Sequence, residues 1–576
     1  MRSALAFVLS SSLATACGEE PGIPPFHFVD RTAESGLAAF RQVNGEAEKL
    51  MIVESVGGGV AFFDADLDGD LDAYLTNGSL LEGLVPGEEP RDALFLNDGS
   101  GRFVDGTAAA GLGDAHWTNG VIVADVDGDR APDLYLTNYG PNVLYLNNGD
   151  GTFRDVTERA GVGDPSWSTG ASFLDFDRDG DLDLYVANYV EFDEETMLRD
   201  RPTGTIQGQL GGAEDPRYAG VAVMKGPRGL DPARDRFYVN QGDGTFRDAS
   251  VEVGIDVESK NFGFQTIVFD ADGDGWLDVY VANDVLENLL WRNDQGKGFT
   301  NIGVESGLAL SMAGTPQGGM GTCVGDYDGD LVPDVYVTNF VQDYSTLYRG
   351  SGGGTFMDRT ASVKLNRSTW SLSGWACEFA DFDSDGMLEL FAGHAHVYPQ
   401  VDRLELGTTY RQRNILYAQR GGDFVEPEGA GGPGFALVQA TRGAALGDVD
   451  ADGDLDLLFG NIDDAPALLV NQGPSGNWIK VRLVGAGGNT DAIGARLIAR
   501  VGERRQLRLV GSGGGFLSSS DPRAHFGLGA AQRVDELEVL WPDGRRERFA
   551  DLPAGRLYTI EEIPGEAGRI RSSTLR

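Results

Sequence analysis

Three features of the sequence predict an all-β protein in which a seven-bladed β-propeller precedes a small β-sandwich-like domain. A nine-residue acidic motif recurs seven times along the 576 residues, and each copy lies between two short apolar runs. A second hairpin pattern follows the motif, which gives about 55 residues and four strands per unit, as in a propeller blade. Alternating apolar and polar residues in the last hundred positions predict a separate β-rich domain.

The composition excludes two broad classes of protein. There are 89 Asp and Glu residues against 46 Lys and Arg, which gives a formal net charge of -43. A field this negative repels nucleic acids and anionic membrane surfaces, so no nucleic-acid partner is expected. Hydrophobic residues make up 41% of the chain, which is enough for a large core and argues against disorder.

The first 25 residues predict export. A basic start, an apolar run from Ala4 to Leu9 and an A-x-A site at 14–16 form a signal peptide over residues 1–16. The mature chain then begins at Cys17, which resembles the lipidated Cys of bacterial lipoproteins, with residues 17–25 as a tether. Two destinations stay open: free secretion, or a cell-surface or outer-membrane lipoprotein anchored at Cys17. No later segment reaches the 18 apolar residues of a membrane span.

The acidic motif has the form D-x-D-x-D-x-x-x-D, and its copies are called metal loops 1 to 7. Successive copies are 61, 50, 95, 56, 55 and 67 residues apart. The acidic residues at positions 1, 3, 5 and 9 are, in order, Asp64, Asp66, Asp68 and Asp72; Asp125, Asp127, Asp129 and Asp133; Asp175, Asp177, Asp179 and Asp183; Asp270, Asp272, Asp274 and Asp278; Asp326, Asp328, Asp330 and Asp334; Asp381, Asp383, Asp385 and Glu389; Asp448, Asp450, Asp452 and Asp456. Thirteen residues after each first Asp stand Asn77, Asn138, Asn188, Asn283, Asn339, His394 and Asn461. Seven copies in register exclude a chance pattern.

Each metal loop joins two predicted strands. Gly59–Phe63 and Ala73–Thr76 flank loop 1, and Ala171–Leu174 and Leu184–Ala187 flank loop 3. These runs are short, rich in aromatic and β-branched residues and bounded by Gly and Asp, as buried strands are. A second hairpin, such as Leu144–Phe153 around an Asn-Gly-Asp-Gly turn, completes each four-stranded blade.

Two further features define the propeller, which we place at residues 26–476. The phrase Phe-x-Asp-x-Thr ends the second hairpin of two early blades, and a copy at Phe28–Leu37 precedes any complete blade. This segment is predicted to complete the last blade beside Leu468–Asn471 and so to close the ring. The 95-residue interval contains a polar, Gly-rich excess, which is predicted to be a long loop at residues 190–236.

The metal loops bring hard oxygen ligands to one point, for which Ca²⁺ is the natural occupant, with up to seven ions per chain. Two carboxylates about 4 Å apart repel by about 4 kcal/mol at an effective dielectric constant of about 20, so four of them oppose folding unless a cation binds. An EF-hand begins alike but needs Glu at position 12, which is apolar in all seven copies. Position 6 is Gly in five loops, whereas loops 2 and 5 carry Arg130 and Leu331 there and are expected to bind most weakly.

The loops resemble the FG-GAP or VCBS repeats of integrin-α-like propellers. The last hundred residues resemble the ASPIC and UnbV domain that ends members of the cartilage acidic protein family. We place this domain at residues 477–561, before a tail at 562–576 that is expected to be flexible. The matching segments are Asn477–Trp478, Asp491–Arg496, Gly511–Leu517, His525–Gly529 and Val539–Gly544. The resemblance implies a secreted, calcium-associated protein of a family largely without an assigned activity.

Other chemically active residues are few. The Gly-rich stretch at 511–515 lacks the Lys and the following helix of a phosphate loop, so it is only a weak indication of phosphate binding. Cys323 and Cys377 lie on comparable strands of neighbouring blades and are predicted to be buried free thiols, although their positions are also compatible with a bridge. His394 and His396 are interpreted as two strand residues on the same side rather than as ligands.

Two function classes are compatible with these features. The first is an exported, monomeric, calcium-binding scaffold that binds a protein or glycan on a propeller face without catalysis. The alternative is a propeller-type polysaccharide lyase or hydrolase that acts at the channel face. The sequence contains no G-x-S-x-G or H-E-x-x-H pattern and its carboxylates are already assigned to metal, so the first class is favoured.

Overall fold

The computed structural model describes residues 26–191, 209–210, 213–214, 223–224, 226–255, 260–427, 429, 431–473 and 476–574. The signal peptide, the tether, Cys17 and most of the predicted loop at 190–236 lie outside these residues. Within them the protein is all-β, with a propeller followed by a C-terminal β domain. Both parts of the predicted fold class are confirmed.

Seven four-stranded antiparallel sheets form the propeller, and each is one blade. The first strand of each blade lines the channel and the fourth lies at the rim. In this order the strands are Val60–Phe63, Asp72–Leu75, Ala93–Asn97 and Phe103–Asp105 in blade 1; Trp117–Ala124, Asp133–Tyr139, Val143–Asn147 and Phe153–Asp155 in blade 2; Ser168–Leu174, Asp183–Asn188, Arg236–Asn240 and Phe246–Asp248 in blade 3; Gly263–Phe269, Asp278–Asn283, Leu289–Asn293 and Phe299–Asn301 in blade 4; Gly319–Gly325, Asp334–Asn339, Thr346–Gly350 and Phe356–Asp358 in blade 5; Gly374–Ala380, Glu389–His394, Ile415–Arg420 and Asp423–Val425 in blade 6; Thr441–Gly447, Asp456–Asn461, Ala467–Asn471 and Phe28–Asp30 in blade 7. Metal loops 1 to 7 connect the first and second strands of blades 1 to 7.

The N-terminal segment closes the ring, as predicted. Phe28 pairs with Asn471 and Asp30 with Leu469, so the first strand of the chain is the fourth strand of blade 7. The first strands of neighbouring blades contact one another around the ring, including those of blades 7 and 1. This arrangement ties the two ends of the propeller together through main-chain hydrogen bonds.

Short helices and two-residue strand pairs occupy the connections. One-turn α-helices are Thr32–Ser35, Thr107–Ala110, Thr157–Ala160 and Gly303–Ser306; 3-10 helices are Leu37–Ala39, Ile52–Ser55, Pro227–Gly229, Pro399–Arg403 and Gly432–Ala436; the pairs are Gln209–Leu210 with Ala213–Glu214 and Gln412–Arg413 with Val438–Gln439. The Phe-x-Asp-x-Thr phrase builds three of these helix starts, since Asp105 Oδ1, for example, accepts a hydrogen bond of 2.9 Å from Thr107 N. None of the helices in the described part of the chain is long and apolar enough to cross a membrane.

The C-terminal domain consists of two four-stranded sheets around their own apolar core. One sheet contains, in order, Ala524–Gly529, Asn477–Val484, Arg556–Glu561 and Arg569–Ser573; the other contains Arg504–Leu509, Arg496–Val501, Arg533–Leu540 and Arg546–Pro553. The prediction of a flexible tail is wrong for residues 569–573, because they pair antiparallel with Arg556–Glu561. Main-chain pairing with an exposed sheet edge orders a segment that has little apolar character of its own.

A segment of the C-terminal domain, residues 511–521, enters the propeller channel and is called the plug. Ser519 forms a parallel bridge with Ala61 of blade 1, and Leu517 O accepts a hydrogen bond of 3.1 Å from Val121 N of blade 2. Phe516 is fully buried, with its ring 5.1 Å from that of Trp375. Gly515 has a φ of +61°, and a Cβ there would clash with a carbonyl oxygen of blade 7. The Gly-rich stretch therefore serves close packing inside the channel.

Candidate metal centres

The backbone of every metal loop turns through two left-handed residues, at positions 4 and 6. Loop 3 has Arg178 (φ 62°) and Gly180 (φ 95°) there, whereas loop 2 has Gly128 (φ 76°) and Arg130 (φ 77°). A non-glycine residue in this region costs roughly 1–2 kcal/mol. In loops 2 and 5 the left-handed non-glycine residue is at position 6, whereas in loops 1, 3, 6 and 7 it is at position 4. The missing Gly at position 6 is therefore no reason to rank loops 2 and 5 lowest.

The loops differ in how many hydrogen bonds their own main chain donates to the carboxylate of the first Asp. In loops 1 and 6, Oδ2 of Asp64 or Asp381 accepts a hydrogen bond from N–H of residue 6, while Oδ1 is buried and accepts none. Oδ1 of Asp175 in loop 3 is likewise buried without a partner. A buried carboxylate oxygen without a donor is costly unless a ligand completes it. These three oxygens fit a cation.

Loops 2 and 5 bind the same oxygen internally. Asp125 Oδ1 accepts hydrogen bonds from Gly128 N (2.8 Å) and Asp129 N (3.1 Å), and Asp326 Oδ1 is bonded in the same way. These N–H groups direct positive charge at the atom that a cation would contact, so the two loops have weaker candidate sites. Asp270 of loop 4 and Asp448 of loop 7 each accept one such main-chain hydrogen bond on Oδ1, so the ranking of loops 2 and 5 as the weakest sites stays a prediction.

Positions 3 and 9 complete the clusters. In loops 1 to 5, single oxygens of residues 1, 3 and 9 lie within 4.8 Å of one another: Asp64, Asp66 and Asp72; Asp125, Asp127 and Asp133; Asp175, Asp177 and Asp183; Asp270, Asp272 and Asp278; Asp326, Asp328 and Asp334. Position 5 is not part of these three-residue groups, and its carboxylate also accepts a hydrogen bond within the turn. Asp179 Oδ1, for example, accepts a hydrogen bond of 3.0 Å from Asp181 N.

The Asp at position 9 also supports the blade. Asp183 Oδ2 accepts a hydrogen bond from Phe176 N and Oδ1 one from Asn240 N on the third strand, both of 2.9 Å. Burial raises the pKa of Asp183 to about 8, and burial first, then the charges of nearby aspartates, raises that of Asp175 to about 7. A bound divalent cation would favour the ionised carboxylates and reverse these shifts.

An amide at the end of the third strand links each of five blades to the metal loop of the preceding blade. Asn147 Nδ2 donates a hydrogen bond of 2.8 Å to Ala65 O, which follows the first Asp of loop 1. The equivalent donors are Asn97 to Val449 O, Asn293 to Phe176 O, Gln419 to Tyr327 O and Asn471 to Phe382 O. The sequence signal for this role is the Asn that ends the third-strand run in most blades, as Asn97, Asn147, Asn293 and Asn471 do. At these five junctions a side-chain hydrogen bond thus joins one blade to the metal loop of the preceding blade.

The residue thirteen positions after the first Asp lies at the end of the blade opposite the metal loop and forms hydrogen bonds there. Asn283 Nδ2 donates a hydrogen bond of 2.6 Å to Glu287 O, and Asn283 N donates one of 2.9 Å to Asn288 Oδ1. These bonds order the turn between the second and third strands. The register noted in the sequence therefore marks a turn and not a metal ligand.

Basic side chains contact several loop carboxylates. Arg349 pairs with Asp328 and Asp330 of loop 5 from within the same blade. From the C-terminal domain, Lys480 pairs with Asp448, with both side chains almost fully buried, and Arg508 approaches Asp381 at 3.7 Å. The C-terminal domain therefore packs on the loop-bearing end of the propeller, where its positive charges compensate aspartates at position 1.

The remaining candidate residues are buried in the core. Cys323 and Cys377 are buried free thiols on the first strands of blades 5 and 6, as predicted. Burial lowers the pKa values of His394 and His396 to about 3, so both rings are neutral at physiological pH. The His396 ring packs 5.3 Å from that of Phe340. His394 ends the second strand of blade 6, as interpreted, whereas His396 lies two residues beyond that strand and is a packed residue of the connection that follows.

Comparison with known proteins agrees with the fold. Residues 485–567 match the family model for ASPIC and UnbV, and residues 125–186, 270–337 and 326–392 match that for an FG-GAP-like repeat. Cartilage acidic protein 1 of Mus musculus is 29% identical over 277 residues, which is 46% of this chain and 40% of the relative. The match thus spans less than half of the curated relative.

Similar solved structures are more distant. An Agrocybe aegerita lectin that recognises non-reducing terminal N-acetylglucosamine is 14% identical, with a TM-score of 0.36, over 64% of this chain and 82% of the lectin. The rhamnogalacturonan lyase YesW is 12% identical, with a TM-score of 0.37, over 77% of this chain and 75% of the lyase. The family models and the sequence relative carry the assignment: the chain contains FG-GAP-like repeats and an ASPIC and UnbV domain, and it is related to cartilage acidic protein 1.

Proposed function

We propose that the protein is an exported scaffold that binds calcium in its propeller loops and mediates protein or glycan binding or adhesion without catalysis. The observation that carries this proposal is the convergence of carboxylate oxygens in the loops, with buried oxygens of Asp64, Asp175 and Asp381 that accept no hydrogen bond. Calcium binds such sets of carboxylate and main-chain oxygens. In each loop the acidic residues at positions 1, 3, 5 and 9 are the proposed ligands.

The proposed role of calcium is structural. The cation would neutralise carboxylates that otherwise repel one another, and its ligands would fix the turn between the first two strands of a blade. The amide links described above would pass this constraint to the next blade, since Asn147 contacts loop 1 from blade 2. Calcium would therefore stabilise the ring as a whole.

The proposed partner surface is the end of the propeller opposite the metal loops. The C-terminal domain covers the loop-bearing end and fills the channel there with the plug. The opposite end has a cavity at the channel mouth, and the chain's net charge of -43 favours partners with positive charge. The alternative class, a propeller-type polysaccharide lyase or hydrolase, would act at this same mouth.

Calcium removal tests the structural role. With a dissociation constant of about 0.1 mM and about 1 mM free calcium, each loop adds about 1.4 kcal/mol, so seven loops add about 10 kcal/mol. We expect excess EGTA to lower the melting temperature by many degrees and calcium, but not the same concentration of magnesium, to restore it. An identical melting curve with and without EGTA would refute the role proposed for the loops.

Partner screening tests the binding function. The calcium-loaded full chain is applied to a glycan array and to a panel of displayed extracellular proteins, in parallel with a polysaccharide degradation screen. A saturable ligand without product formation supports the scaffold. Release of unsaturated or reducing sugar ends would instead establish the enzyme class.

Export is a separate proposal, because residues 1–25 lie outside the described structure. We propose cleavage of the signal peptide at residue 16 and either free secretion or lipidation of Cys17. The mass of the mature N-terminus decides between them, because a diacylglyceryl group adds several hundred daltons. A mature chain that retains Met1 would rule out both destinations.

A further inference from the structure

Two cysteines lie on the innermost strands of neighbouring blades. Cys323 belongs to the first strand of blade 5, Gly319–Gly325, and Cys377 to the first strand of blade 6, Gly374–Ala380. They are 3% and 0% exposed, and both thiols are free in this structure. Because the two strands contact one another, their register decides how close the thiols come.

The residues that follow the cysteines show the register. A Cβ on Gly325 would lie 3.1 Å from the Cβ of Phe379, so these two positions face one another across the blade boundary. Alternate residues of a strand point to the same side. Cys323 precedes Gly325 by two residues and therefore points towards blade 6. Cys377 precedes Phe379 by two residues and therefore points towards blade 5.

Contacts beside the cysteines show how closely the strands approach. A Cβ on Gly321 would lie only 1.9 Å from Trp375 O, so the two main chains are in close contact there. Cys377 Sγ donates a weak hydrogen bond of 3.9 Å to Tyr336 O, and Tyr336 pairs with Cys323 inside blade 5. The Cys377 thiol thus reaches the main chain next to Cys323.

These separations suit a disulfide. Bridged cysteines have Cβ atoms about 3.5–4.5 Å apart. The facing positions Gly325 and Phe379, two residues further along each strand, are slightly closer than that. Burial raises the pKa of Cys323 well above its usual value, and a hydrogen bond with the Cys377 thiol raises it further. The two thiols are therefore neighbours, and both are protonated in the folded chain.

We propose that Cys323 and Cys377 form a disulfide between blades 5 and 6 when the chain folds in an oxidising compartment. The bridge goes beyond the proposed calcium role, because it joins two blades covalently. Only the supply of the oxidant rests on the proposed export. That oxidant is a protein disulfide that acts by thiol–disulfide exchange.

The reaction consists of two successive exchanges. One Cys thiolate attacks the disulfide of the oxidant, which forms a mixed disulfide and releases one thiolate of the oxidant. The second Cys thiolate attacks the Sγ of the first, which forms the Sγ–Sγ bond and releases the other thiolate. The two cysteines lose two protons and two electrons, and the oxidant becomes a dithiol. Because protonated, buried thiols are unreactive, the exchange precedes the closure of the two blades.

The bridge would stabilise the wall of the channel. It closes a loop that contains most of blade 5, and such a cross-link restricts the unfolded chain more than the folded one. Glu378, the residue after Cys377, accepts a hydrogen bond from Gly515 N of the plug. The bridge therefore lies next to the contact that holds the plug in the channel.

Peptide mapping tests the bridge. The mature chain is produced once by export into an oxidising compartment and once in a reducing cytosol. Each sample is unfolded with excess N-ethylmaleimide and digested without reduction. We expect a linked peptide that contains Cys323 and Cys377 in the exported sample and two alkylated residues in the cytosolic one. Alkylation of both residues in the exported sample, or a link from either to Cys17 or to glutathione, would overturn the proposal.

Variants measure the contribution of the bridge to stability. Cys323→Ala and Cys377→Ala are each expected to lower the melting temperature of the exported chain by about 2–5 °C. In the cytosolic chain the same substitutions remove only core packing and are expected to lower it less. Equal losses in the two preparations would show that the thiols serve only to fill the core.

A third measurement needs no variant. Dithiothreitol should leave the bridge of the folded, exported wild type intact and open it in urea, because both sulfur atoms are buried. Opening at equal rates with and without urea would contradict a bridge at this place in the core. The bridge is followed by peptide mass and the calcium role by melting in EGTA, so each proposal can fail alone.

Discussion

Glu378 is expected to make the protein less stable as the pH rises from about 4.5 to about 7. It lies on the first strand of blade 6, and its Oε1 accepts hydrogen bonds from Gly515 N and Ser520 Oγ of the plug. Burial raises the pKa of Glu378 from 4.5 to about 7, and these two donors oppose the shift only in part. Keeping the ionised Glu378 side chain inside the channel therefore lowers the free energy of unfolding.

The direction in which stability changes with pH follows from the number of protons that each state binds. Because the pKa of this acid is higher in the folded than in the unfolded protein, the folded state binds more protons between the two values. Stability therefore falls as the pH rises through this window and is level above about 7. The difference between the folded and unfolded pKa values of Glu378 corresponds to about 3 kcal/mol of stability.

The Glu378→Gln variant isolates this effect. Its amide oxygen can still accept a hydrogen bond from Gly515 N, but it carries no charge. In saturating calcium, urea unfolding should show the variant about 3 kcal/mol more stable than the wild type at pH 8 and less than about 1 kcal/mol more stable at pH 5. Glu305→Gln is the exposed control and should match the wild type at both pH values. An equal difference between Glu378→Gln and the wild type at pH 5 and pH 8 would refute the assignment of the titration to Glu378.

Three further predictions concern the loops and the ring. Asp177→Ala is expected to lower the calcium stoichiometry by one and Asp127→Ala to have a smaller effect, because N–H groups of loop 2 already occupy its first Asp; equal losses by calorimetry would contradict this ranking. Arg349→Ala is expected to tighten calcium binding by loop 5 several-fold, since Arg349 pairs with two of its carboxylates, and unchanged titrations would argue against that competition. Deletion of residues 17–25 should cost little, whereas deletion through Leu37 should expose the edge of blade 7 and cause aggregation; a monomeric long truncation with an unchanged melting temperature would reject closure by the N-terminus.

Local sequence determined the repeated part of this protein. The loop Asp residues, the glycines and the short apolar runs recur within about ten residues of one another, so strand, turn and strand could be assigned from the pattern alone. The closing strand was also predictable, since Phe28 begins a phrase that recurs in other blades. The argument from position 6 does not separate loops 2 and 5 from most other loops, because every loop has two left-handed positions and loops 2 and 5 carry their Gly at position 4, as Gly128 and Gly329.

Only the tertiary structure decided what fills the channel and which residues join different units. The plug meets blades 1 and 2 through residues roughly 400 positions away in sequence, and its Gly-rich stretch carries no repeat that indicates a partner. The pairs of Lys480 with Asp448 and of Asn147 with Ala65 O likewise join different units. The physical reason is that hydrophobic period and turn chemistry specify neighbours along the chain, whereas these contacts depend on how closed blades and the C-terminal domain pack together.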